Sequence, residues 1–157
     1  EFIDKDINIR DYLHEIISSF KEISKKEFVF NFDQDSNPKK ISKSIEIVYG
    51  LRNFIGNANK FAKNSIFINL KSDSEFTEIT LEDDGNGYPR DIISKIGEPY
   101  LKSNYSKDKS KEGLGLGLFI GKTLLEKNFA SVNCRNSKTR SGAEVVIRWK
   151  NKELFNI

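Results

Sequence analysis

The chain has 157 residues, of which 37% are hydrophobic, 11% aromatic and 31% charged. This length fits one compact domain, and the apolar share is enough for a buried core, so we exclude a chain that is disordered throughout. The chain carries 26 Lys and Arg residues and 23 Asp and Glu residues, which gives a net charge of +3. Because charges of both signs are interleaved, for example over 21–27, we expect no nucleic-acid partner and no lipid-binding tail.

The sequence also excludes several kinds of site and segment. Its single cysteine, Cys134, cannot form an internal disulfide or a cysteine-based metal site. No apolar run approaches the roughly 20 residues that span a bilayer, and no segment resembles a signal peptide. The absence of methionine indicates a piece of a longer protein, so we expect residues 1–157 to be a single domain taken from a larger chain.

Hydrophobic periodicity predicts a helix, a strand and a second helix in the first part of the chain. Apolar residues recur at helical spacing from Ile9 to Phe20, which predicts a helix at about 10–24. Alternating phenylalanines predict a strand at about 27–33. A longer apolar stripe from Ile45 to Ala62 then predicts the second helix.

Two strands and a long loop are predicted next. Alternation indicates strands at about 65–71 and 75–82, and the polar residues between them indicate a hairpin turn. From 83 to 113 the sequence has no sustained period, apart from a short helical piece near 91–96. A loop of that length inside a compact domain is typically functional or disordered, and we interpret its lysine-rich part, about 97–112, as a lid.

The remaining residues predict one more helix and two more strands. We expect the helix at about 116–127 and the strands at about 131–136 and 143–149. About three helices and about five strands together favour an α+β fold. We expect a two-layer α/β sandwich in which the helices cover a mixed, mainly antiparallel sheet.

The second helix carries a polar group of side chains beside its apolar stripe. The group consists of Asn53, Asn57, Lys60 and Phe61. Their spacing of four, three and one residues places them on one face of the helix. An amide oxygen can bind a magnesium ion that keeps most of its water, and a lysine one turn away can reach a phosphate. The alternative is an ordinary solvated helix face.

A turn with two glycines follows the predicted hairpin. Asp84 stands at the strand end and is followed by Gly85 and Gly87. A carboxylate accepts hydrogen bonds from an exocyclic amine, and glycines allow the backbone to approach a flat base closely. The alternative is an ordinary tight turn, since Asp-Gly and Asn-Gly pairs are common in turns.

Three glycines alternate with leucines at the start of the next predicted helix. The segment consists of Gly113, Leu114, Gly115, Leu116, Gly117 and Leu118. Exposed amides at the positive end of a helix bind phosphate well. The segment has neither the Rossmann spacing nor that of a Walker loop, and the alternative is a flexible hinge before the helix.

In this order, the asparagine-bearing helix, the Asp-Gly-Asn-Gly turn, the lid and the glycine-rich helix start resemble the ATP-binding boxes of the GHKL superfamily. Within it, the chain resembles the catalytic, ATP-binding domain (HATPase_c, with the Bergerat-type fold) of bacterial sensor histidine kinases over about 9–149. The resemblance implies ATP and Mg²⁺ as cofactors. It also implies transfer of the γ-phosphoryl group to a histidine on a dimerisation domain, and then to an aspartate of a response regulator.

The resemblance implies that three residues of the second helix act in catalysis. Asn57 would bind Mg²⁺, Asn53 would lie beside it near the phosphates, and Lys60 would contact the phosphate chain. In the ATP-hydrolysing relatives, a glutamate that activates water takes the place of Asn53, and an amide cannot accept that proton. Transfer to a protein side chain depends more on positioning and charge neutralisation than on such a base.

The other boxes are implied to hold the rest of the nucleotide. Phe61 would flank the adenine, and Asp84 would accept a hydrogen bond from its amino group. Gly85 and Gly87 would line the base and the sugar. The backbone amides of 113–118 would hold the phosphates.

The lid and the helix after it favour one subfamily. In the family's F box, at about 96–101, Tyr100 replaces the usual phenylalanine and would still anchor the lid. With the sequences at 113–120 and 122–126, this form is most similar to the redox-responsive regulator kinases of the RegB/PrrB kind. Cys134 lies on a predicted strand after the last helix, and the resemblance gives it no sensor role.

We therefore expect the catalytic domain of a two-component sensor histidine kinase. The expected partners are ATP or ADP, the kinase's own dimerisation domain and a response regulator. The parent protein would be a dimer in the inner membrane, with this domain cytoplasmic and, when isolated, monomeric. The single histidine, His14, lacks the proline that follows a phosphoacceptor histidine, so we expect the acceptor upstream and no autophosphorylation by this piece alone.

Two other classes of function remain open at this stage. One is another GHKL protein, either a serine kinase of the anti-sigma type or an ATPase. The other is a module that senses nucleotide and catalyses nothing.

Overall fold

The computed structural model describes residues 6–33, 40–42, 44–93 and 114–154. The helices in these ranges are α1 (Ile9–Lys21), α2 (Ile45–Phe61), α3 (Arg90–Ile93), α4 (Leu114–Lys127) and α5 (Asn151–Leu154). The strands are β1 (Asp6–Asn8), β2 (Glu27–Phe32), β3 (Lys40–Ser42), β4 (Ser65–Ser72), β5 (Phe76–Asp83), β6 (Ser131–Asn136) and β7 (Ala143–Lys150). In this part of the chain the long helices α1, α2 and α4 accompany a five-stranded sheet, which confirms the predicted α+β class.

The five-stranded sheet is mixed and mainly antiparallel, as predicted. Its strand order is β2-β4-β5-β7-β6. β2 runs parallel to β4, and the other neighbouring pairs are antiparallel. The predicted hairpin consists of β4 and β5, and its register pairs Ile66 with Asp83. The end of β5 therefore lies beside the beginning of β4, close to the point where α2 ends.

Alternation along the strands directs one set of side chains into a core beneath the helices. In β5, the buried residues are Thr77, Ile79, Leu81 and Asp83. α2 contacts α1, α4 and the strands β4 and β5. The largest side chain of the core, Trp149 of β7, is fully buried, and its indole nitrogen donates a hydrogen bond of 2.9 Å to the carbonyl oxygen of Asn128.

Two glycines allow α4 to lie directly against α2. A Cβ atom at Gly121 would lie 2.7 Å from the ring of Phe54, and one at Gly50 would lie 2.7 Å from Cγ of Leu125. Both distances are shorter than an ordinary contact between carbon atoms, about 3.5–4 Å. The glycines thus set the spacing of the two helices, and with it the position of α4 along α2.

Some boundaries differ from the prediction. α1 ends at Lys21, a few residues early, because the amides of Ile23 and Ser24 both donate to the carbonyl oxygen of Phe20, at 3.1 and 2.9 Å. α4 begins at Leu114 instead of about 116. The two-stranded β1–β3 sheet and α5 are absent from the prediction, since elements of three or four residues are too short to show a period.

The loop after β5 is described only at its beginning. The short helix predicted near 91–96 corresponds to α3, whereas residues 94–113, which include the predicted lid, lie outside the described residues. Within the described ranges, no helix combines the length and the apolar character needed to cross a bilayer.

Candidate functional site

A cavity of about 150 Å³ lies between α2, the end of β5 with the residues after it, and β7. Its lining residues are Phe54, Asn57, Ala58 and Phe61 of α2, Leu81 and Asp83 of β5, Asn86, Gly87, Tyr88 and Pro89 after β5, and Ala143 and Val145 of β7. Most of these side chains are apolar or aromatic. A small number of polar groups in an otherwise apolar cavity is the usual composition of a ligand site.

Asp83 places a buried carboxylate in the wall of this cavity. The residue is 4% exposed. Its Oδ1 atom accepts hydrogen bonds from the backbone amides of Gly85, at 2.8 Å, and Ala143, at 3.3 Å. Burial raises the pKa of Asp83 above its ordinary value of 3.8, because it outweighs these two bonds, which act in the opposite direction. Within the described part of the chain both bonds go to Oδ1, so Oδ2 is the atom left for a donor on a ligand.

Asp84, which the sequence assigned to the base, has a different environment. Its carboxylate accepts hydrogen bonds of 2.8 to 3.2 Å from the backbone amides of Lys63, Asn64 and Ser65. Partial burial acts to raise the pKa of Asp84, but these amides together outweigh it and lower the pKa below 3.8. Asp84 does not line the cavity; it fixes the turn between α2 and β4.

The physical reason for this difference in position is the alternation of β5. Side chains of a strand point to opposite faces in turn, so Asp83 continues the inward series of Ile79 and Leu81. The sequence prediction ended the strand at 82 and assigned base recognition to Asp84, the second of the two aspartates that follow. The missed signal was the strand's own period, extended by one residue.

Glycines allow the backbone to pack closely around Asp83. A Cβ atom at Gly142 would lie 2.1 Å from both the carbonyl oxygen and Oδ1 of Asp83, and one at Gly85 would lie 2.2 Å from the carbonyl oxygen of Phe61. Gly87 has a φ of 79°, a value that other residues rarely adopt. Gly85 and Gly87 thus shape the segment after β5, and only Gly87 of the two lines the cavity.

Asn57 is the second polar group of the cavity. Its Nδ2 atom is buried and has no hydrogen-bond partner among the described residues. A buried donor without a partner costs about 1–3 kcal/mol, and native structures contain few of them. A Cβ atom at Gly117 would lie 3.3 Å from this Nδ2 atom, so the first turns of α4 pass directly beside Asn57.

The other predicted residues of α2 lie in three different positions. Phe61 lines the cavity. Asn53 lies one turn before Asn57, outside the lining, and its Nδ2 donates to the carbonyl oxygen of Tyr49 at 2.7 Å. Lys60 is exposed, with its Nζ atom 5.2 Å from the centroid of the Phe61 ring. The structure therefore brings Asn57 and Phe61 together, but not Asn53 or Lys60.

The predicted residues of the lid and of the glycine-rich segment also lie in different positions. Tyr100 and Gly113 lie outside the described residues, while Leu114, Gly115 and Leu116 form the first turn of α4. Amides in a first turn lack acceptors inside their own helix, which keeps them available to an anion. The side chain of Leu118 is fully buried in the core, so the predicted phosphate contact of this residue stays one of its backbone amide.

Tyr88 and Cys134 meet at one wall of the cavity. Tyr88 is 8% exposed, and its side chain lies beside that of Cys134. Burial raises the pKa of Cys134 to about 12. The thiol therefore stays protonated and unreactive near neutral pH, in agreement with a structural role for this cysteine.

Comparison with known proteins places the chain in a family. The family model described as "Histidine kinase-, DNA gyrase B-, and HSP90-like ATPase" matches residues 42–153. The chain belongs to this family. The match includes α2, the cavity and α4, so the elements that build the candidate site are those that the family shares.

Curated relatives are sensor histidine kinases. The sensor histidine kinase RegB of Cereibacter sphaeroides is 36% identical over 119 residues, which cover 66% of this chain and 26% of RegB. A putative NtrY-like sensor histidine kinase of Rickettsia bellii is 30% identical over 106 residues, covering 65% of this chain and 16% of that protein. The chain thus matches about a quarter or less of the length of these relatives, and the resemblance to kinases of the RegB kind is confirmed.

Solved structures of histidine kinases share the fold. The catalytic domain of the histidine kinase ThkA has a TM-score of 0.76 at 19% identity, with 94% of this chain and 97% of that chain covered. Full-length ShkA in complex with AMPPNP has a TM-score of 0.72 at 20% identity, with 94% of this chain and 31% of that chain covered. These similarities confirm the predicted Bergerat-type fold.

Proposed function

We propose that the chain binds Mg-ATP in the cavity and donates the γ-phosphoryl group to a histidine on a separate domain, as the catalytic part of a two-component sensor histidine kinase. The observation that carries this proposal is the buried carboxylate of Asp83, fixed through Oδ1 in the wall of a mostly apolar cavity. ShkA, which shares the fold, is described in complex with the ATP analogue AMPPNP.

Asp83 is suited to recognise adenine. A carboxylate accepts a hydrogen bond from an exocyclic amine, whereas it meets the carbonyl oxygen of guanine with repulsion. Phe61 and Tyr88 add aromatic surface to the same cavity, which favours a flat ring. We therefore assign the base-recognition role to Asp83 instead of Asp84.

The donor set fits a magnesium ion that is bound mainly by the nucleotide. No group of three or more His, Cys, Asp or Glu side chains within the described residues could hold a metal by itself. Asn57 offers an amide whose nitrogen has no partner in this part of the structure, and amide oxygens are suitable ligands for Mg²⁺. Asn57 would hold the ion together with phosphate oxygens and water, and the ion would neutralise charge on the phosphates.

The cavity favours transfer to a protein over hydrolysis. Asp83 is the one carboxylate among the described lining residues, and base recognition occupies it. Asn53 carries an amide, which cannot take a proton from water. An acceptor side chain brought by another domain would therefore compete well against water, since phosphoryl transfer depends chiefly on positioning and electrostatic stabilisation.

We place the acceptor histidine on a part of the parent protein that this chain does not contain. His14 is exposed on α1, its ring lies edge-on against Phe30 with centroids 4.7 Å apart, and it does not line the cavity. RegB is about four times as long as the region that matches this chain. A dimeric parent in the inner membrane, a dimerisation domain and a response regulator are further parts of this proposal.

Calorimetric titration of the purified chain with ATP and ADP, each with and without Mg²⁺, tests the nucleotide step. We expect binding at micromolar to millimolar concentration, tighter with Mg²⁺ than without. Incubation with labelled ATP and a separately purified phosphoacceptor domain of the parent kinase should then label that domain. Absence of binding by either nucleotide at millimolar concentration would contradict the proposal, and steady hydrolysis without any acceptor would favour the ATPase alternative.

A further inference from the structure

The turn between β6 and β7 holds the backbone that follows β5. Ser137 Oγ donates to a carboxylate oxygen of Glu82 at 2.6 Å, and Ser141 Oγ donates to the carbonyl oxygen of Gly85 at 3.0 Å. The amide of Ala143 donates to Asp83, as described above. These contacts cover the segment from the last residues of β5 to the first glycine after it.

Asn136, the last residue of β6, adds a contact of a different kind at the far end of that segment. Its Oδ1 atom accepts a hydrogen bond from the Tyr88 amide at 2.6 Å, and its Nδ2 atom donates to the Tyr88 carbonyl oxygen at 3.2 Å. One side chain therefore satisfies both backbone groups of a residue that lines the cavity. Two bonds to the backbone of one residue, one on each of its flanking peptide units, fix its orientation as well as its distance.

The same carboxamide also explains the glycine before Tyr88. A Cβ atom at Gly87 would lie 2.7 Å from Oδ1 of Asn136, and Gly87 has a φ of 79°. Asn136 thus occupies the space that a side chain at 87 would need. Gly87 and Tyr88, two neighbouring residues of the cavity wall, are held by one side chain that does not itself line the cavity.

We propose that Asn136 is a positioning residue for base recognition: by fixing the backbone of Tyr88, it sets the shape of the wall that follows Asp83 and so favours adenine over other bases. This inference depends on the proposed nucleotide binding and adds to it a residue outside the cavity. The wall and Asp83 must keep a fixed separation, because a planar base is recognised by its edge and its faces together.

Two features separate this role from general support of the fold. The side chain of Asn136 is exposed, and the backbone of the β6–β7 hairpin is held by its own register, in which Asn136 pairs with Ala143. The described contacts of the Asn136 side chain reach Tyr88 and Gly87, whereas Asn57 lies on α2. Removal of the carboxamide should therefore affect base discrimination and leave the magnesium-dependent part of binding unchanged.

The test compares Asn136→Ala with Asn133→Ala in the full 157-residue chain. Asn133 is an exposed asparagine on the same strand, which makes it a matched control. ATP and GTP are titrated with and without Mg²⁺, and circular dichroism establishes that each variant is folded at the temperature used. We expect Asn136→Ala to weaken ATP about tenfold, to reduce the preference for ATP over GTP, and to leave the ratio of affinities with and without Mg²⁺ as in the wild type.

Asn136→Asp provides a conservative second variant. It keeps an acceptor for the Tyr88 amide but loses the donor to the Tyr88 carbonyl, so the loss of ATP affinity should be smaller than for alanine. If Asn136→Ala does not fold, this variant carries the test, with a reduced preference for ATP as the expected result.

The outcomes distinguish the positioning role from the proposed function. If the wild type prefers ATP and the Asn136 variants keep that preference, the positioning role is wrong while the proposed function stands. An equal loss for ATP and GTP also overturns it, since that result indicates damage to the fold. A wild-type chain that binds no nucleotide contradicts both.

Discussion

The two ends of the cavity differ in whether the protein itself supplies hydrogen-bond partners for their polar groups. At the end formed by Asp83 and the residues up to Tyr88, hydrogen bonds from the β6–β7 hairpin and from the Gly85 amide hold the side chain and backbone groups in place. At the end formed by Asn57 and the first turns of α4, an amide nitrogen is buried without a partner in the described part of the chain. The protein completes one end by itself, and under the proposed function the other end would obtain its polar partners from the nucleotide.

This difference has a physical basis in what each end would bind. A base is flat and uncharged, so its recognition requires a fixed shape and a few fixed acceptors. Phosphate oxygens can accept a hydrogen bond from a donor that the protein leaves unpaired, and the metal ion would bind the amide oxygen of the same side chain. The cost of about 1–3 kcal/mol for such a group in the free protein is then recovered when the nucleotide binds.

The largest expected effect comes from Asp83→Asn. The substitution replaces the anionic acceptor by an amide of the same size, so the contacts to Gly85 and Ala143 persist in weakened form while the charged bond to an amine is lost. A hydrogen bond to a charged group contributes about 1.5–3 kcal/mol, which corresponds to a loss of about 10- to 100-fold in ATP affinity. Calorimetric titration with ATP measures it.

Asp84→Asn is the matched control for that variant. Asp84 lies next in sequence but binds the backbone of the turn after α2. We expect it to lower the free energy of unfolding by about 1 kcal/mol or less, since the site is partly solvated, with ATP affinity within about twofold of the wild type. Equal losses of affinity in the two variants would contradict the assignment of the base to Asp83.

Gly121→Ala tests whether the close spacing of α2 and α4 stabilises the fold. The new methyl group would lie 2.7 Å from the ring of Phe54, and overpacking of this kind costs about 1–3 kcal/mol. Urea unfolding should show a matching loss of stability. Gly56→Ala is the control, because its methyl group would lie 3.6 Å from Phe20 and alanine favours the helix by up to about 1 kcal/mol. If both substitutions stabilise the protein, close packing at Gly121 does not limit the fold.

Asn57→Ala tests the unpartnered amide directly. Because the substitution removes a buried group without a partner, the free energy of unfolding should stay unchanged or rise by up to about 1 kcal/mol. The extra affinity for ATP that Mg²⁺ provides should fall about tenfold. Asn53 lies on the same helix but outside the cavity. Asn53→Ala should therefore reduce the extra affinity provided by Mg²⁺ by less than Asn57→Ala does. An unchanged magnesium dependence in Asn57→Ala would contradict its assignment as the metal-binding residue.

The smallest expected effects are those of pH, and they have opposite signs at the two aspartates. The pKa of Asp83 is raised above 3.8 in the folded state, so folding stability falls as pH rises from 3.8 through that raised pKa. The pKa of Asp84 is lowered, so its contribution is present above 3.8 and is lost as pH falls below that value.

Urea unfolding between pH 3 and 6 measures both contributions. Relative to the wild type, Asp83→Asn should gain stability as pH rises above 3.8, and Asp84→Asn should gain stability as pH falls below 3.8. Binding of ATP should weaken as Asp83 becomes protonated, and this step should be missing in Asp83→Asn. A pH dependence that is identical in both variants would show that the two carboxylates share one environment.

Much of the fold follows from local patterns. The apolar stripe of α2 and the alternation of β4 and β5 each extend over enough residues to show their period. These elements lie close to where the sequence predicts them. The β1–β3 sheet and α5 do not, because three or four residues carry no measurable period and only their neighbours hold them in place.

For the site, the sequence by itself determined the types of group and their order along the chain: an asparagine on a helix, an aspartate beside two glycines, and a glycine-rich helix start. Spacing on α2 was enough to select Asn57 and Phe61, because a regular helix converts spacing into direction. The same spacing also predicted Asn53 and Lys60 as site residues, although neither lines the cavity.

Only the tertiary structure placed Asp83, and not Asp84, in the wall of the cavity and brought Asn136 and Gly142 close to it. The two aspartates are adjacent in sequence, and the face that each occupies depends on where β5 ends within the sheet. Asn136 and Gly142 lie more than 50 residues from Asp83, so their contacts exist only because β7 pairs with both β5 and β6. Pairing of distant strands follows from the packing of the whole sheet, which no local pattern specifies.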